Sequence, residues 1–245
     1  MDPSRLIVVF PDFRGIDSSS NHLPSAIHEV VPSATIIAAI NGVDVLPLIS
    51  PDVTPVFTPP GFNEAVLTGL AHAVGCGPAL IARIDNNSHP PRLLPYAFSA
   101  LAELDLVVLD HTFSPHTLAP GSAEDYHTSY IIPELVRQAS SNQLSLSGSH
   151  GFMAFKSDAL SAILPIATRA FALAKDAAAK DGFPTPLWSA DTLLPLIALR
   201  LGQKVGVRYH LADSPRSNPL EKSLRQVRDL LYLIHALDEM SSPAR

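Results

Sequence analysis

The sequence contains little cysteine and little charge. Cys76 is the single cysteine among 245 residues, which excludes an internal disulfide and any metal site built from several cysteines. Charged residues make up 16% of the chain and hydrophobic residues 47%, so the composition is that of a globular protein with a large core. Cys76 itself fits a small buried residue near a turn.

Basic residues are fewer than acidic ones. There are 17 lysines and arginines against 23 acidic residues, for a net charge of -6. Nucleic acid is therefore not an expected partner, because phosphate binding needs a basic surface. The apolar run near the N-terminus, Leu6 to Phe10, ends at Pro11 and is too short for a signal peptide or a membrane span. We expect a cytoplasmic protein with no membrane span.

Three common catalytic and nucleotide-binding motifs do not occur. The sequence has no P-loop and no G-x-G-x-x-G, which removes the usual signatures of NTPases and dinucleotide-binding enzymes. Around His150 there is no G-x-S-x-G, so the nucleophile elbow of serine hydrolases is absent as well.

Uninterrupted apolar runs alternate with helical patterns along the chain. Such runs are typical of strands that are covered on both faces, and their alternation with helices predicts an α/β fold with a mainly parallel sheet. The predicted strands are 6–10, 34–40, 79–84, 106–109, a short strand ending at 156, and 204–209. The predicted helices are 23–31, 61–74, one between the third and fourth strands, 130–140, 158–179 with a possible break at Pro165, 193–201 and 220–240. Residues 45–58 hold only short apolar pieces cut by prolines.

The last helix is strongly amphipathic. We predict one domain over residues 1–219, and a C-terminal segment, 220–245, that packs on this domain or on a partner chain. Its basic residues are offset by acidic ones, whereas a membrane-surface helix needs a cationic polar face. A core contact or a homodimer is therefore favoured over a membrane.

Asp85 follows the third predicted strand directly. In open α/β sheets, ligands bind in the crevice at the carboxyl ends of the strands, so this is where we place the chemistry. The alternative is that Asp85 is only a turn residue.

Four segments in order carry a resemblance to a known family. They are the proline-ended strand at 6–11, the G-x-N-x-A helix start at 61–65, the segment Ile84-Asp85-Asn86-Asn87-Ser88-His89-Pro90-Pro91 with the strand after it, and the pieces 151–157, 188–191 and 202–205. Together they resemble the GT-A glycosyltransferases, most closely the family 2 and dolichol-phosphate mannose synthase-like branch. The resemblance implies a single GT-A-like domain that moves a sugar from a nucleotide-diphosphate donor to the hydroxyl of a small-molecule or glycan acceptor.

The resemblance also implies a divalent metal, Mg²⁺ or Mn²⁺. Its ligands would be Asp85, Asn87 and His210, the histidine after the last core strand. Where the family has Asp-x-Asp, this chain has Asp85-Asn86-Asn87. An amide can ligate through its oxygen but adds no charge, so Asp85 with this help would hold a metal more weakly than two carboxylates would.

The remaining roles follow from the same resemblance. Asp191 would be the base that deprotonates the acceptor, although it could equally be an acid that favours the start of a helix. The expected donor-binding residues are Pro11, Asp12 and Asp44 near the base and ribose, Asn63 on the G-x-N-x-A helix, and Arg14, Arg208 and Arg216 near the phosphates. Two other functions stay open: a nucleotidyltransferase on a related sheet, and a sugar-nucleotide binding protein without turnover.

Overall fold

The structure is a computed structural model that describes residues 5–12, 22–42, 51–85, 91–112, 131–146, 151–183, 189–211 and 220–241. In these ranges the strands are β1 (Leu6–Asp12), β2 (Thr35–Asn41), β3 (Val53–Thr58), β4 (Leu80–Arg83), β5 (Leu106–Thr112), β6 (Phe152–Lys156) and β7 (Val205–Leu211). The helices are α1 (His22–Val30), α2 (Phe62–Gly75), α3 (Leu94–Ala100), α4 (Ile132–Ala139), α5 (Ser157–Lys180), α6 (Ala190–Arg200) and α7 (Leu220–Ser241), with a 3₁₀ turn at Pro91–Leu93.

The strands form one sheet in the order β3-β2-β1-β4-β6-β5-β7. Strand β6 runs antiparallel to both of its neighbours, and the other described pairs are parallel. The predicted α/β class with a mainly parallel sheet is therefore confirmed. Because only β6 is reversed, the carboxyl ends of the other six strands lie at one edge of the sheet.

The two faces of the sheet bury separate cores. The larger core joins residues such as Ile7, Ile81 and Val108 to α2, α4, α5, α6 and α7. The smaller core joins the alternate residues of the same strands, such as Val8 and Ala82, to α1 and α3. This alternation follows from the two-residue period of a strand, and it explains why the strands read as uninterrupted apolar runs.

An ion pair at the amino end of β5 ties three strands together. The Asp105 carboxylate lies 2.9 Å from the Lys156 ammonium at the end of β6, and it accepts a 2.9 Å hydrogen bond from the backbone N–H of Lys204, ahead of β7. That backbone hydrogen bond, and then the one from Lys156, lower the pKa of Asp105 below its ordinary value of 3.8. This contact helps to fix β6 and β7 on the two sides of β5.

Strand β3 is missing from the sequence prediction. Among the strands that the structure describes, it lies at one end of the sheet and pairs only with β2, and several of its side chains are exposed. It also contains Pro55, which an edge strand tolerates because its free side needs no ladder hydrogen bond. An exposed strand with a proline lacks the apolar run by which the buried strands are recognised.

Two helices depart from the sequence prediction. Helix α5 continues through Pro165 without a break, and its residues on both sides of the proline, Leu164 and Ala167 among them, are buried in the larger core. Tertiary packing here outweighs the hydrogen bond that a proline removes. Helix α6 begins at Ala190 and not at 193, so Asp191 lies inside its first turn.

Helix α7 packs its apolar face on α4, α5 and α6 of the same chain. Leu230, Leu233, Ala236 and Leu237 of this face are buried in the larger core. The boundary at residue 219 and a homodimer contact through this helix stay predictions. Among the described residues, one helix, α5, is long and apolar enough to cross a membrane by length and composition alone, and 44% of that stretch is buried inside the protein.

Candidate active site

A fully buried arginine links the two carboxylates that the sequence singles out. Arg83, the last residue of β4, has no solvent-exposed surface. Its Nη2 donates a 2.6 Å hydrogen bond to Oδ1 of Asp85, and its Nη1 lies 2.9 Å from Oδ1 of Asp191, an ion pair whose angles fall short of a hydrogen bond. The side chain of Asp85 is 24% exposed and that of Asp191 is 17% exposed, so both carboxylates reach the protein surface, whereas Arg83 does not. The cluster carries one positive and two negative formal charges.

The start of α2 holds the arginine and the start of α6 in place. The Phe62 ring lies 5.2 Å from the guanidinium carbon of Arg83, within the range of a cation–π contact. The next residue, Asn63, is buried, and its Oδ1 accepts a 3.1 Å hydrogen bond from the backbone N–H of Ala190. The G-x-N-x-A helix start therefore fixes the residue directly before Asp191.

The absence of a side chain at Gly151 leaves room for the Asp85 carboxylate. A Cβ at Gly151 would lie 2.1 Å from Oδ2 and 2.5 Å from Cγ of Asp85. Both distances are far below any real contact, so no larger residue fits there while Asp85 keeps its position. Gly151 directly precedes β6, the antiparallel strand that pairs with β4. The start of β6 therefore lies beside Asp85, which follows the end of β4.

Helix α6 begins on a strained residue. Ser189 precedes the helix with φ 123° and ψ 22°, a backbone conformation that non-glycine residues rarely adopt. Its carbonyl accepts hydrogen bonds from the N–H groups of Thr192 and Leu193. Such strain is found at functional sites more often than elsewhere. Here it places Asp191 in the first turn, where the helix dipole favours a negative charge.

A third acidic residue, Asp110, lies on the same face of the sheet as Asp85. Asp110 of β5 is buried and pairs with Tyr209 of β7. Continuing the β4–β6 register by two residues and the β5–β6 register by one brings Asp85, Gly151, Asp110 and Tyr209 onto one line across the sheet. Burial, and then the negative charge of Asp110, raise the pKa of Tyr209 above 10.0. Acidic side chains therefore occur at the carboxyl edge of the sheet at β5 as well as at β4.

The other predicted site residues are only partly brought together. Pro11 is buried in β1 beside Ala39, and Asp12 ends the same strand. Arg208 pairs with Leu109, so it belongs to the sheet face of the smaller core, opposite to Asp85. Four further candidates, Arg14, Asp44, Asn87 and Arg216, lie outside the described residues.

The described residues supply one oxygen ligand for the predicted metal. Asp85 offers a partly exposed carboxylate, but one of its oxygens contacts Arg83. His210 lies at the same edge, in β7, three strands from β4 and therefore on the order of 14 Å away at the level of the backbone. In the part of the chain that the structure describes, no three histidine, cysteine, aspartate or glutamate side chains come together as a metal site. The metal ligands stay predictions.

A cleft of about 240 Å³ opens between α2 and α5. It is lined by Asn63, Glu64, Leu67, Thr168, Phe171, Ala172 and Lys175. The ammonium of Lys175 lies 3.6 Å from the carboxylate of Glu64 across it. Neither Asp85 nor Asp191 lines this cleft, so we place the chemistry at the sheet edge instead.

Arg83 is the site residue that the sequence interpretation missed. It lies inside the run Ala79 to Ile84, which predicts a strand buried on both faces. A charged residue in such a strand needs a buried partner, since burying an unpaired charge is very costly. The signal that points to Arg83 is thus an arginine within a buried strand, two residues before an aspartate.

Solved structures share this fold at low sequence identity. Glucosyl-3-phosphoglycerate synthase from Mycobacterium tuberculosis, in complex with Mn²⁺, UDP-glucose and phosphoglyceric acid, is 15% identical over 96% of this chain and 80% of its own, with a TM-score of 0.59. The same enzyme with Mn²⁺, UDP-glucose and glycerol 3-phosphate gives 14% identity, the same coverage and a TM-score of 0.57. A structure described as a mycobacterial protein is 12% identical over 96% of this chain and 75% of its own, with a TM-score of 0.57.

No protein-family model matches the chain, and no curated protein sequence matches it either. At these identities the structural likeness concerns the fold. It supports the GT-A-like architecture expected from the four sequence segments, and it does not distinguish the dolichol-phosphate mannose synthase-like branch from other members.

Proposed function

We propose that this protein is a glycosyltransferase that moves a sugar from a nucleoside-diphosphate donor to an acceptor hydroxyl with the help of a divalent metal ion. The observation that carries the proposal is the joining of Asp85 and Asp191 by Arg83 at the carboxyl edge of a GT-A-like sheet. In open α/β sheets this edge is where ligands bind. The structural neighbours contain a nucleotide sugar and Mn²⁺, which supports the same class of donor and metal here.

A divalent cation would stabilise the charge that grows on the diphosphate as the glycosidic bond breaks. The carboxylate of Asp85 fits such a hard ion, because its Oδ2 is directed into the space that Gly151 leaves open and its side chain reaches the surface. Asn87 and His210 would complete the ligand set. The neighbours support Mn²⁺, and Mg²⁺ is an extension of the proposal.

Asp191 would accept the proton of the acceptor hydroxyl in a reaction that inverts configuration. A general base must lie within hydrogen-bond reach of the proton that it removes. Asp191 is partly exposed in the first turn of α6, beside the carboxylate that would hold the metal. The helix dipole explains its position equally well, so its effect on turnover has to be measured.

The donor and acceptor classes follow from the complexes of the neighbours. A uridine diphosphate sugar is the first donor to test, and a three-carbon phosphate such as phosphoglycerate or glycerol phosphate is the first acceptor. In this proposal the base, ribose and phosphates contact Pro11, Asp12, Asp44, Asn63, Arg14 and Arg216. Arg208 is left out of the proposed contacts, because it lies on the sheet face opposite to Asp85. The assignment to the dolichol-phosphate mannose synthase-like branch rests on the four sequence segments alone. A cytoplasmic location and a homodimer are further parts of the proposal.

The second candidate is a sugar-nucleotide binding protein without turnover. Arg83 occupies one oxygen of Asp85, and the second acidic position of the metal motif is Asn87. Both features weaken a metal site relative to two free carboxylates. Binding of a nucleotide sugar without its cleavage would favour this candidate.

Thermal unfolding with a panel of nucleoside diphosphates, with and without Mn²⁺, tests the proposal. A ligand that binds only the folded state at a hundredfold excess over its dissociation constant stabilises it by about 2.7 kcal/mol. We expect one nucleotide to raise the melting temperature only when Mn²⁺ is present. Mn²⁺ alone and nucleotide alone are the controls, and an assay for sugar release or transfer follows for the nucleotide that binds. If no nucleotide shifts the melting temperature, the proposal is wrong.

A further inference from the structure

The burial of Arg83 is difficult to explain by stability alone. Its guanidinium is fully withdrawn from water and faces two carboxylates, Asp85 and Asp191. Removing such charges from water is costly, and buried ion pairs or triads can often be replaced by apolar side chains without loss of stability. The neighbouring strand residues Ile81 and Val108 on the same face are apolar. A charged residue at this position therefore indicates a role at the site.

The shape of the guanidinium matches that role. The two contacts are made by different nitrogens, Nη2 toward Asp85 and Nη1 toward Asp191. Because the group is planar and rigid, it fixes the relative position of the two carboxylates, whereas a lysine ammonium is a single point charge on a flexible stem. The Phe62 ring packs near the guanidinium carbon at 5.2 Å and restricts its tilt.

The two carboxylates come from different elements of the fold, and each element is held in place by its own contacts. Asp85 follows β4, and Asp191 lies in the first turn of α6, whose start is tied to α2 through Asn63. Arg83 is the described side chain that contacts both carboxylates. Its two ion pairs thus join the proposed metal side of the site to the proposed base side.

We propose that Arg83 is a positioning residue that holds Asp85 and Asp191 at a fixed separation, so that the donor diphosphate and the acceptor hydroxyl are aligned for transfer. This inference rests on the proposed function. Misplacement of a reacting group by about 1 Å can lower a rate on the order of a hundredfold. The loss is expected in kcat, because the metal and the donor still bind to Asp85.

The test is the conservative variant Arg83→Lys, which keeps the charge but contacts only one carboxylate well. We expect kcat to fall about a hundredfold, with KM for the donor changed less than about threefold. The Mn²⁺-dependent thermal shift with the nucleotide should persist, which gives a readout apart from activity. Wild-type kcat in this variant would overturn the inference.

Arg228→Lys is the matched control. Arg228 also pairs with a buried aspartate, Asp229, at 2.6 Å, and its guanidinium carbon lies 4.7 Å from the Phe183 ring. It is located on α7, and its ion pair and ring contact are with Asp229 and Phe183 rather than with Asp85 or Asp191. We expect a lower melting temperature with unchanged kcat, so a general loss of stability is separated from a loss of alignment.

A double-mutant cycle identifies the route of the effect. If Arg83 acts by positioning Asp191, then Arg83→Lys should lower kcat only slightly further in an Asp191→Asn background, because the aligned group is already absent. If Arg83→Lys lowers kcat by the same factor in the Asp191→Asn background as in the wild type, the inference is overturned while the proposed function stands. Absence of any metal-dependent nucleotide binding in the wild-type protein would instead overturn the proposed function, and this inference with it.

Discussion

Gly151→Ala tests the geometry of the site without removing any of its charged groups. The new Cβ would lie 2.1 Å from Oδ2, 2.5 Å from Cγ and 3.0 Å from Cβ of Asp85. Rotation of the carboxylate alone gives no relief, because Cγ is itself too close. The side chain has to move by about 1 Å, which lengthens its 2.6 Å hydrogen bond to Arg83 to a distance at which no hydrogen bond remains.

The expected cost follows from the lost hydrogen bond. A hydrogen bond to a charged group contributes about 1.5–3 kcal/mol to the free energy of unfolding. For a chain of this size each 1 kcal/mol corresponds to about 2–4 °C in melting temperature, so Gly151→Ala should melt roughly 3–12 °C lower. Turnover should fall on the order of a hundredfold, because a carboxylate at the reacting centre is displaced by about 1 Å.

Urea unfolding, thermal unfolding and a transfer assay measure these effects. Gly75→Ala is the matched control, since a Cβ at Gly75, the last residue of α2, meets no atom within 4 Å. It should be neutral or slightly stabilising, because alanine is a better helix residue than glycine. If Gly151→Ala unfolds and turns over like Gly75→Ala, the close contact between Asp85 and Gly151 is refuted.

Three further predictions address the base, the helix tether and the acid stability. Asp191→Asn should lower kcat with little change in donor affinity, and unchanged turnover would leave Asp191 as a helix-start acid. Asn63→Ala should destabilise the protein by about 1–3 kcal/mol in urea unfolding, because the buried N–H of Ala190 loses its acceptor, and equal stability would contradict the tether. The hydrogen bond from Lys204 lowers the pKa of Asp105, so its stabilising contribution is present above pH 3.8 and is lost as the pH falls through the lower pKa of the folded state. Asp105→Asn should therefore melt below the wild type at neutral pH, and the difference should shrink in acid; a difference that is constant with pH would contradict this account.

Local patterns in the sequence determine most of the elements. Strands β1, β2 and β5 follow from uninterrupted apolar runs, and β4 follows from an apolar run that contains Arg83, because a strand covered on both faces needs mainly apolar side chains. The same reasoning predicts that Asp85 lies at a strand end, since the apolar run stops there. An exposed edge strand such as β3 produces no such run, and it was missed for that reason.

The tertiary structure alone decides which of these residues meet. Nothing local to β6 indicates that it runs antiparallel between β4 and β5, yet this arrangement brings Gly151 against Asp85. The pairing of Arg83 with Asp191 likewise depends on how α2 and α6 pack over the sheet. Apolar periodicity specifies which face of an element is buried, whereas the order of strands and the neighbours of a helix are set by contacts between distant segments. The sequence therefore located both carboxylates, Asp85 at a strand end and Asp191 through the resemblance, and the packing of the chain supplied the arginine that joins them.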